Sequence, residues 1–155
     1  MKYLLIIILA TSLNFSFAQL DTDSEIHRIT LGFNLHRLGI RSPMYLGYEN
    51  IRAGYWFHQF HQAGLEAGML RANIASPIVG PYYRFQALEG RFHPFFEGSA
   101  KVLFIRNSAL ERSRSLVIAG YGGLNLSLSD RFSVEAAVGK SNIDWDTYIG
   151  MNYRF

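Results

Sequence analysis

The chain contains no cysteine. That excludes a disulfide framework, thiolate metal sites and a lipid-anchored N-terminal cysteine. One-signed charge is also lacking: 15 basic residues face 12 acidic ones, a mild excess that gives no reason to expect nucleic acid as a partner. Past the first residues, no stretch approaches the run of about 20 apolar residues that a membrane helix needs. No long stretch carries a helical period, and there is neither an internal repeat nor a low-complexity segment. If this chain crosses a membrane, it must do so as a closed barrel, because lipid leaves no other way to satisfy strand hydrogen bonds.

What is present begins with a leader. Met1-Lys2-Tyr3 supplies a short positive start, and an apolar run follows from Leu4 to Leu9. Ser16 and Ala18 are small residues two apart, the spacing a signal peptidase reads, which predicts cleavage after Ala18 and export through residues 1–18. Residues 19–25 are acidic and polar and read as a flexible lead-in. Residues 26–155 are enough for one domain.

From Ile26 the chain alternates apolar and polar residues in segments of roughly ten, the spacing of an all-β barrel. Eight can be drawn: 26–38, 44–56, 62–72, 77–88, 92–106, 115–128, 131–141 and 148–155, with the register of the second unsettled around Glu49–Arg52. In the first, Ile29, Leu31, Phe33 and Leu35 oppose Thr30, Gly32, Asn34 and His36. In the last, Ile149, Met151, Tyr153 and Phe155 oppose Tyr148, Gly150, Asn152 and Arg154.

The polar faces carry Gly, Ser and single charges: Glu66, Arg84, Glu97, Lys101, Glu135 and Arg154. A soluble barrel would turn these charges to water, whereas a membrane barrel turns the apolar faces to lipid and the charges inward. Three acids against three bases then predict ion pairs inside a lumen that eight strands leave just wide enough for side chains. Glu97 and Lys101 are expected to depend on one another. Aromatic residues, 15% of the chain, gather near proposed strand ends (Tyr55, Trp56, Phe57 and Phe60; Phe92, Phe95 and Phe96), as the interfacial girdles of such barrels do. With both ends of the barrel segment on the periplasmic side, the connections 39–43, 73–76, 107–114 and 142–146 fall outside.

With its exported start, eight two-faced segments and terminal Tyr153-Arg154-Phe155, the chain resembles the small outer-membrane barrels of the outer-membrane protein A, X and W type. The resemblance implies an all-β, eight-stranded, antiparallel up-and-down transmembrane barrel in the outer membrane. It also implies that Met151, Tyr153 and Phe155 form the signal read by the barrel assembly machinery. The outer connections here are short, which departs from members that bind host or phage partners through long loops.

Chemistry is sparse. Lipid A deacylase barrels use a His-x-Ser pair, and none of His27, His36, His58, His61 or His93 has Ser two positions on. There is no Gly-x-Ser-x-Gly elbow. The outer connections hold no His, unlike the palmitoyltransferase barrels. His58 and His61 could offer two imidazoles to a metal, but no third ligand lies nearby, and Asp144 and Asp146 read as turn formers. Neither catalysis nor a cofactor is expected. Arg37, Arg41, Arg71, Arg106, Arg112 and Arg114 fall at or near outer ends, with Lys140 beside them, and could meet lipopolysaccharide phosphates through the planar guanidinium fork. The reading is a monomeric, non-enzymatic barrel with a plugged polar lumen, in contact with outer-membrane lipid and lipopolysaccharide. Two alternatives stay open: a soluble periplasmic or secreted barrel carrying a small hydrophobic ligand, and a lipid A-modifying barrel enzyme.

Overall fold

The computed structural model describes residues 28–38, 46–71, 75–87, 91–106 and 112–155. The expected leader and lead-in lie outside the described residues, as do most of the first three outer connections and the inner turn at Glu89-Gly90.

Eight strands follow one another: β1 Ile29–Leu38, β2 Leu46–His58, β3 His61–Arg71, β4 Ser76–Gln86, β5 Phe92–Arg106, β6 Arg112–Ser127, β7 Phe132–Ser141 and β8 Trp145–Arg154. Each pairs antiparallel with the next, and β1 pairs with β8 to close the barrel. No helix occurs among the described residues. Closure leaves no open edge along the wall, which allows an extended chain to cross lipid. The inner end is the one holding Ile29 and Arg154, and the outer end is opposite.

The strands form where the alternation predicts, and each face points as expected. Ile51, Phe96 and Ile149 stand outward and are 65%, 68% and 63% exposed, while Arg84 and Lys101 stand inward at 2% and 1%. The unsettled register of β2 resolves with Tyr48, Asn50, Arg52 and Trp56 inward. A register shift between Trp56 and His58 then lets the chain turn tightly through Gln59 and Phe60. In β4, the ladder to β5 is interrupted between Val79 and Tyr82, where Pro81 has no N–H to give.

Two expectations are corrected here. Trp56 and Phe95 do not belong to an interfacial girdle, because each sits between two outward residues and is therefore turned into the lumen. Trp56 donates its indole N–H to Thr30 Oγ1 at 2.9 Å, and Phe95 lies under the Arg84 guanidinium at 4.0 Å. Strand β6 also begins at Arg112 rather than Ser115, so β5 and β6 run on together past the point where β7 ends. At that point Asn142 stands in for the missing strand. Its side chain donates to Leu116 O at 2.9 Å and accepts from Ile118 N at 3.0 Å, extending the ladder by one amide.

Candidate functional site

The interior is built from the inward residues of all eight strands, stacked in layers. At the outer end Leu38, Tyr48, Ile78, Leu103 and Val117 pack together, with Leu70 and Ile105 against them. This apolar cap lies between the polar layers and the outer rim, around a small cavity of about 20 Å³ that Tyr121, Ser141 and Asp146 also line.

The next layer centres on Asp146. Its Oδ2 accepts from Tyr121 OH at 2.6 Å, from His36 Nδ1 at 3.0 Å and from Tyr48 OH at 3.2 Å. Asn50 offers its amide nitrogen to His36 Nε2 at 3.2 Å and to Glu66 Oε2 at 2.6 Å. Nε2 is then an acceptor, and the network assigns the imidazole proton to Nδ1. Lys101 Nζ lies 2.7 Å from Glu66 Oε1 and 3.0 Å from Tyr48 OH.

Below this lies a knot of two guanidinium groups and two carboxylates. Arg52 holds Glu97 through both terminal nitrogens, at 2.9 and 3.1 Å, and reaches Glu135 at 3.4 Å. Arg84 holds Glu97 at 2.6 Å and Glu135 at 2.6 Å, and donates to Tyr148 OH at 3.1 Å. Asn34, with its amide oxygen turned to Arg52, accepts from Nη2 at 2.6 Å and from Nε at 2.9 Å. Asn152 donates to Glu135 at 2.8 Å. Buried charges are tolerable only when paired and hydrogen-bonded in this way. Glycine makes the room: a Cβ on inward Gly32 would collide with Arg52 and Asn152, and one on Gly150 with Asn34.

Of the expected lumen charges, Glu66, Arg84, Glu97, Lys101 and Glu135 are brought together inside. Two pairings differ from expectation. Lys101 answers Glu66, not Glu97, because Glu97 is already saturated by Arg52 and Arg84. Arg154 is only half-buried and lies over Trp56 at 5.4 Å, below the knot. The third strong cation is instead Arg52, which sequence reasoning missed because β2 carries polar and apolar residues on both faces. Asp146 was missed too. It was expected in an outer turn but is 1% exposed on β8, whereas Asp144 does form the turn, its carbonyl accepting from Ser141 Oγ and its Oδ1 from Trp145 N. Strict alternation back from Tyr148 would have placed Asp146 inward.

At the outer rim, Arg71 pairs with exposed Glu49 at 2.7 Å, which offsets its charge. Arg37 is exposed, Arg114 lies over the Phe104 ring at 5.6 Å, and Lys140 lies over Trp145 at 5.8 Å. Arg41 and the side chains of Arg106 and Arg112 lie outside the described residues.

At the inner end, Met151 and Tyr153 point outward, and Phe155 stacks edge-on with Tyr153 at 4.9 Å. The His58 and His61 rings are 5.5 Å apart, in an outer-wall aromatic cluster with Phe57, Phe60, Tyr83 and Phe85. Among the described residues no three His, Asp or Glu side chains converge as metal ligands.

An exposed apolar wall around a charged, hydrogen-bonded interior is the reverse of a water-soluble protein. The same architecture is found in known structures. The N-terminal β-barrel domain of Pseudomonas aeruginosa OprF superposes with a TM-score of 0.70 at 11% identity, covering 83% of this chain and 98% of that domain. A de novo designed transmembrane β-barrel gives 0.65 at 10% identity, over 86% and 100% of the two chains. Neisserial surface protein A gives 0.63 at 10%, over 82% and 97%. The fold is theirs. At such identities the likeness extends to architecture alone, and no family model and no curated protein matches the sequence.

Proposed function

We propose that this protein is an integral outer-membrane barrel with a structural or interaction role, that its lumen is closed to solutes, and that it is not an enzyme. The observation carrying this reading is the interior itself. Arg52, Arg84, Glu97 and Glu135 occupy the middle of the lumen, and the apolar cap of Leu38, Ile78, Leu103 and Val117 covers the outer end. An eight-stranded barrel is narrow enough for such side chains to fill it. The His36–Asp146 pair lies beneath that cap, and a catalytic reading would need a path from substrate to its nitrogens. The reversed polarity also weighs against a soluble carrier, which would need an apolar lining where this lumen has ion pairs.

Exposed Arg37, Arg114 and Lys140 at the outer rim suit the phosphates of lipopolysaccharide. The outward row of Met151, Tyr153 and Phe155 on β8 suits recognition by the barrel assembly machinery. The protein works as a monomer in this reading. Cell fractionation with an alkaline carbonate wash, followed by gel migration with and without heating, tests it. Retention in the membrane and a heat-dependent shift are expected, and recovery in the soluble periplasm would end the proposal. Planar-bilayer recording tests closure, with no steady conductance expected.

A further inference from the structure

The lipid-facing wall is not uniform. A trough of about 500 Å³ crosses it obliquely over β5, β6, β7, β8 and β1. Along one side, Leu35, Ile149, Ala136 and Leu124 are paired in one continuous register row. Ile149 and Leu124 stand well exposed, and Ala136 between them ends at its Cβ, which leaves a gap in the row. Phe33 and Met151 form the opposite wall, and Phe92 stops the far end. Five strands spaced by about 4.8 Å make the trough roughly 19 Å long, a length suited to an extended fatty acyl chain.

Within a bilayer, apolar surface alone does not hold one chain in preference to its neighbours, because the surrounding lipid is equally apolar. Selective retention needs shape and a polar anchor. Ala136 supplies the shape. The anchor lies above it on the same strands: Arg37 is the next outward residue after Leu35, and Lys140 is the second outward residue after Ala136. Arg37 and Val138 flank Thr147 in one row, and Lys140 pairs with Trp145 in the next. On strands tilted by about 40°, Lys140 lies roughly 10 Å nearer the outer surface than Ala136, close to the edge of a hydrocarbon band about 25 Å tall. Two cations therefore stand at headgroup level over an apolar trough.

We propose that this trough is a lipid-binding site, taking one acyl chain of a phosphorylated glycolipid of the outer leaflet while Arg37 and Lys140 hold its phosphate. The inference rests on the outer-membrane reading and assigns its lipopolysaccharide contact to one face.

The test uses the full chain in nanodiscs containing diphosphorylated lipid A, phosphatidylglycerol and phosphatidylethanolamine, released into mild detergent, with retained lipid counted by native mass spectrometry. Wild-type protein should keep one lipid A. Ala136→Phe fills the trough with an apolar group, so the barrel still inserts and retention falls. Arg37→Gln with Lys140→Gln should lower retention by about tenfold, the scale of one charge-assisted hydrogen bond. Leu65→Phe, outward on β3 on the other side of the barrel, should leave it unchanged. Heat-dependent gel migration reports insertion of each variant separately. A wild-type chain that does not insert sinks the outer-membrane reading itself. Insertion with Ala136→Phe retaining lipid A like wild type, or with phosphatidylglycerol retained as well as lipid A, overturns this inference alone.

Discussion

Each buried charge in the lumen has a specific partner, so the partners can be told apart by mutation. Removing one member of a buried pair leaves the other uncompensated, which costs on the order of 3–5 kcal/mol. Lys101→Met should therefore lower stability in detergent–urea unfolding by about that amount, and adding Glu66→Gln should recover part of it. Glu97→Gln should not recover it, since Glu97 is held by Arg52 and Arg84. A double-mutant cycle that couples Lys101 to Glu97 more strongly than to Glu66 would overturn this assignment. Arg52→Met should be as costly as Arg84→Met, although only Arg84 stands out from the sequence. The charges of β3, β4, β5 and β7 were legible because each stands between two apolar or small residues in a regular alternation: Glu66 between Leu65 and Ala67, Arg84 between Tyr83 and Phe85, Lys101 between Ala100 and Val102, and Glu135 between Val134 and Ala136. Arg52 was not, because its neighbours on the same face include Tyr48 and Trp56, while Glu49 stands on the other.

At the level of the strand, the outward rows face lipid and the inward rows do not. Leu65→Arg, at the centre of β3 and outward, should reduce folding stability by about 2–4 kcal/mol, as expected for a cation at the bilayer midplane. The measurement is the folded fraction by gel migration across a urea series, and an unchanged midpoint would place Leu65 away from hydrocarbon. Where β7 ends and β6 continues, Asn142 holds the exposed edge. Asn142→Ala removes two hydrogen bonds and should cost about 1–2 kcal/mol locally, read as faster amide exchange at Ile118. Exchange at Tyr121, deeper in the ladder, should hardly change. In β8 the outward aromatics serve a different test: Phe155→Ala should reduce the amount of assembled barrel more than the amount of protein made. Equal reductions in both would remove the assembly role assigned to that row.

Across the whole molecule, the same residues carry stability and the closure proposed for the lumen. The knot of Arg52, Arg84, Glu97 and Glu135 joins β2, β4, β5 and β7, of which only β4 and β5 are neighbours in the wall. Loss of the knot should be felt as loss of cooperativity and of closure together. Arg52→Ala combined with Arg84→Ala is expected to broaden the unfolding transition and to admit small-ion current in planar bilayers where wild type admits none. A sharp transition and a silent bilayer from that variant would mean that the apolar cap, not the knot, closes the lumen.

The sequence by itself determined the number of strands, which face of each meets lipid, and the all-β class. All three depend on a two-residue period that every strand repeats, and antiparallel neighbours in a closed wall preserve it. It also marked most of the inward charges, because a Glu, Arg or Lys set between apolar neighbours in a regular alternation has few other places to go. Which charge meets which was decided only by the tertiary structure. Pairing across a lumen depends on register around the whole barrel and on side-chain length, so Glu66 on β3 meets Lys101 on β5 while Glu97 is claimed by Arg52 on β2. Asp146, Trp56 and Phe95 are a different case: their residue types suit a turn or an interface, but the alternation of their strands turns them inward. Their direction was imposed by the outward residues on either side. The trough beneath Arg37 and Lys140 was invisible for a related reason: Ala136 becomes a gap only when registration sets it between Ile149 and Leu124.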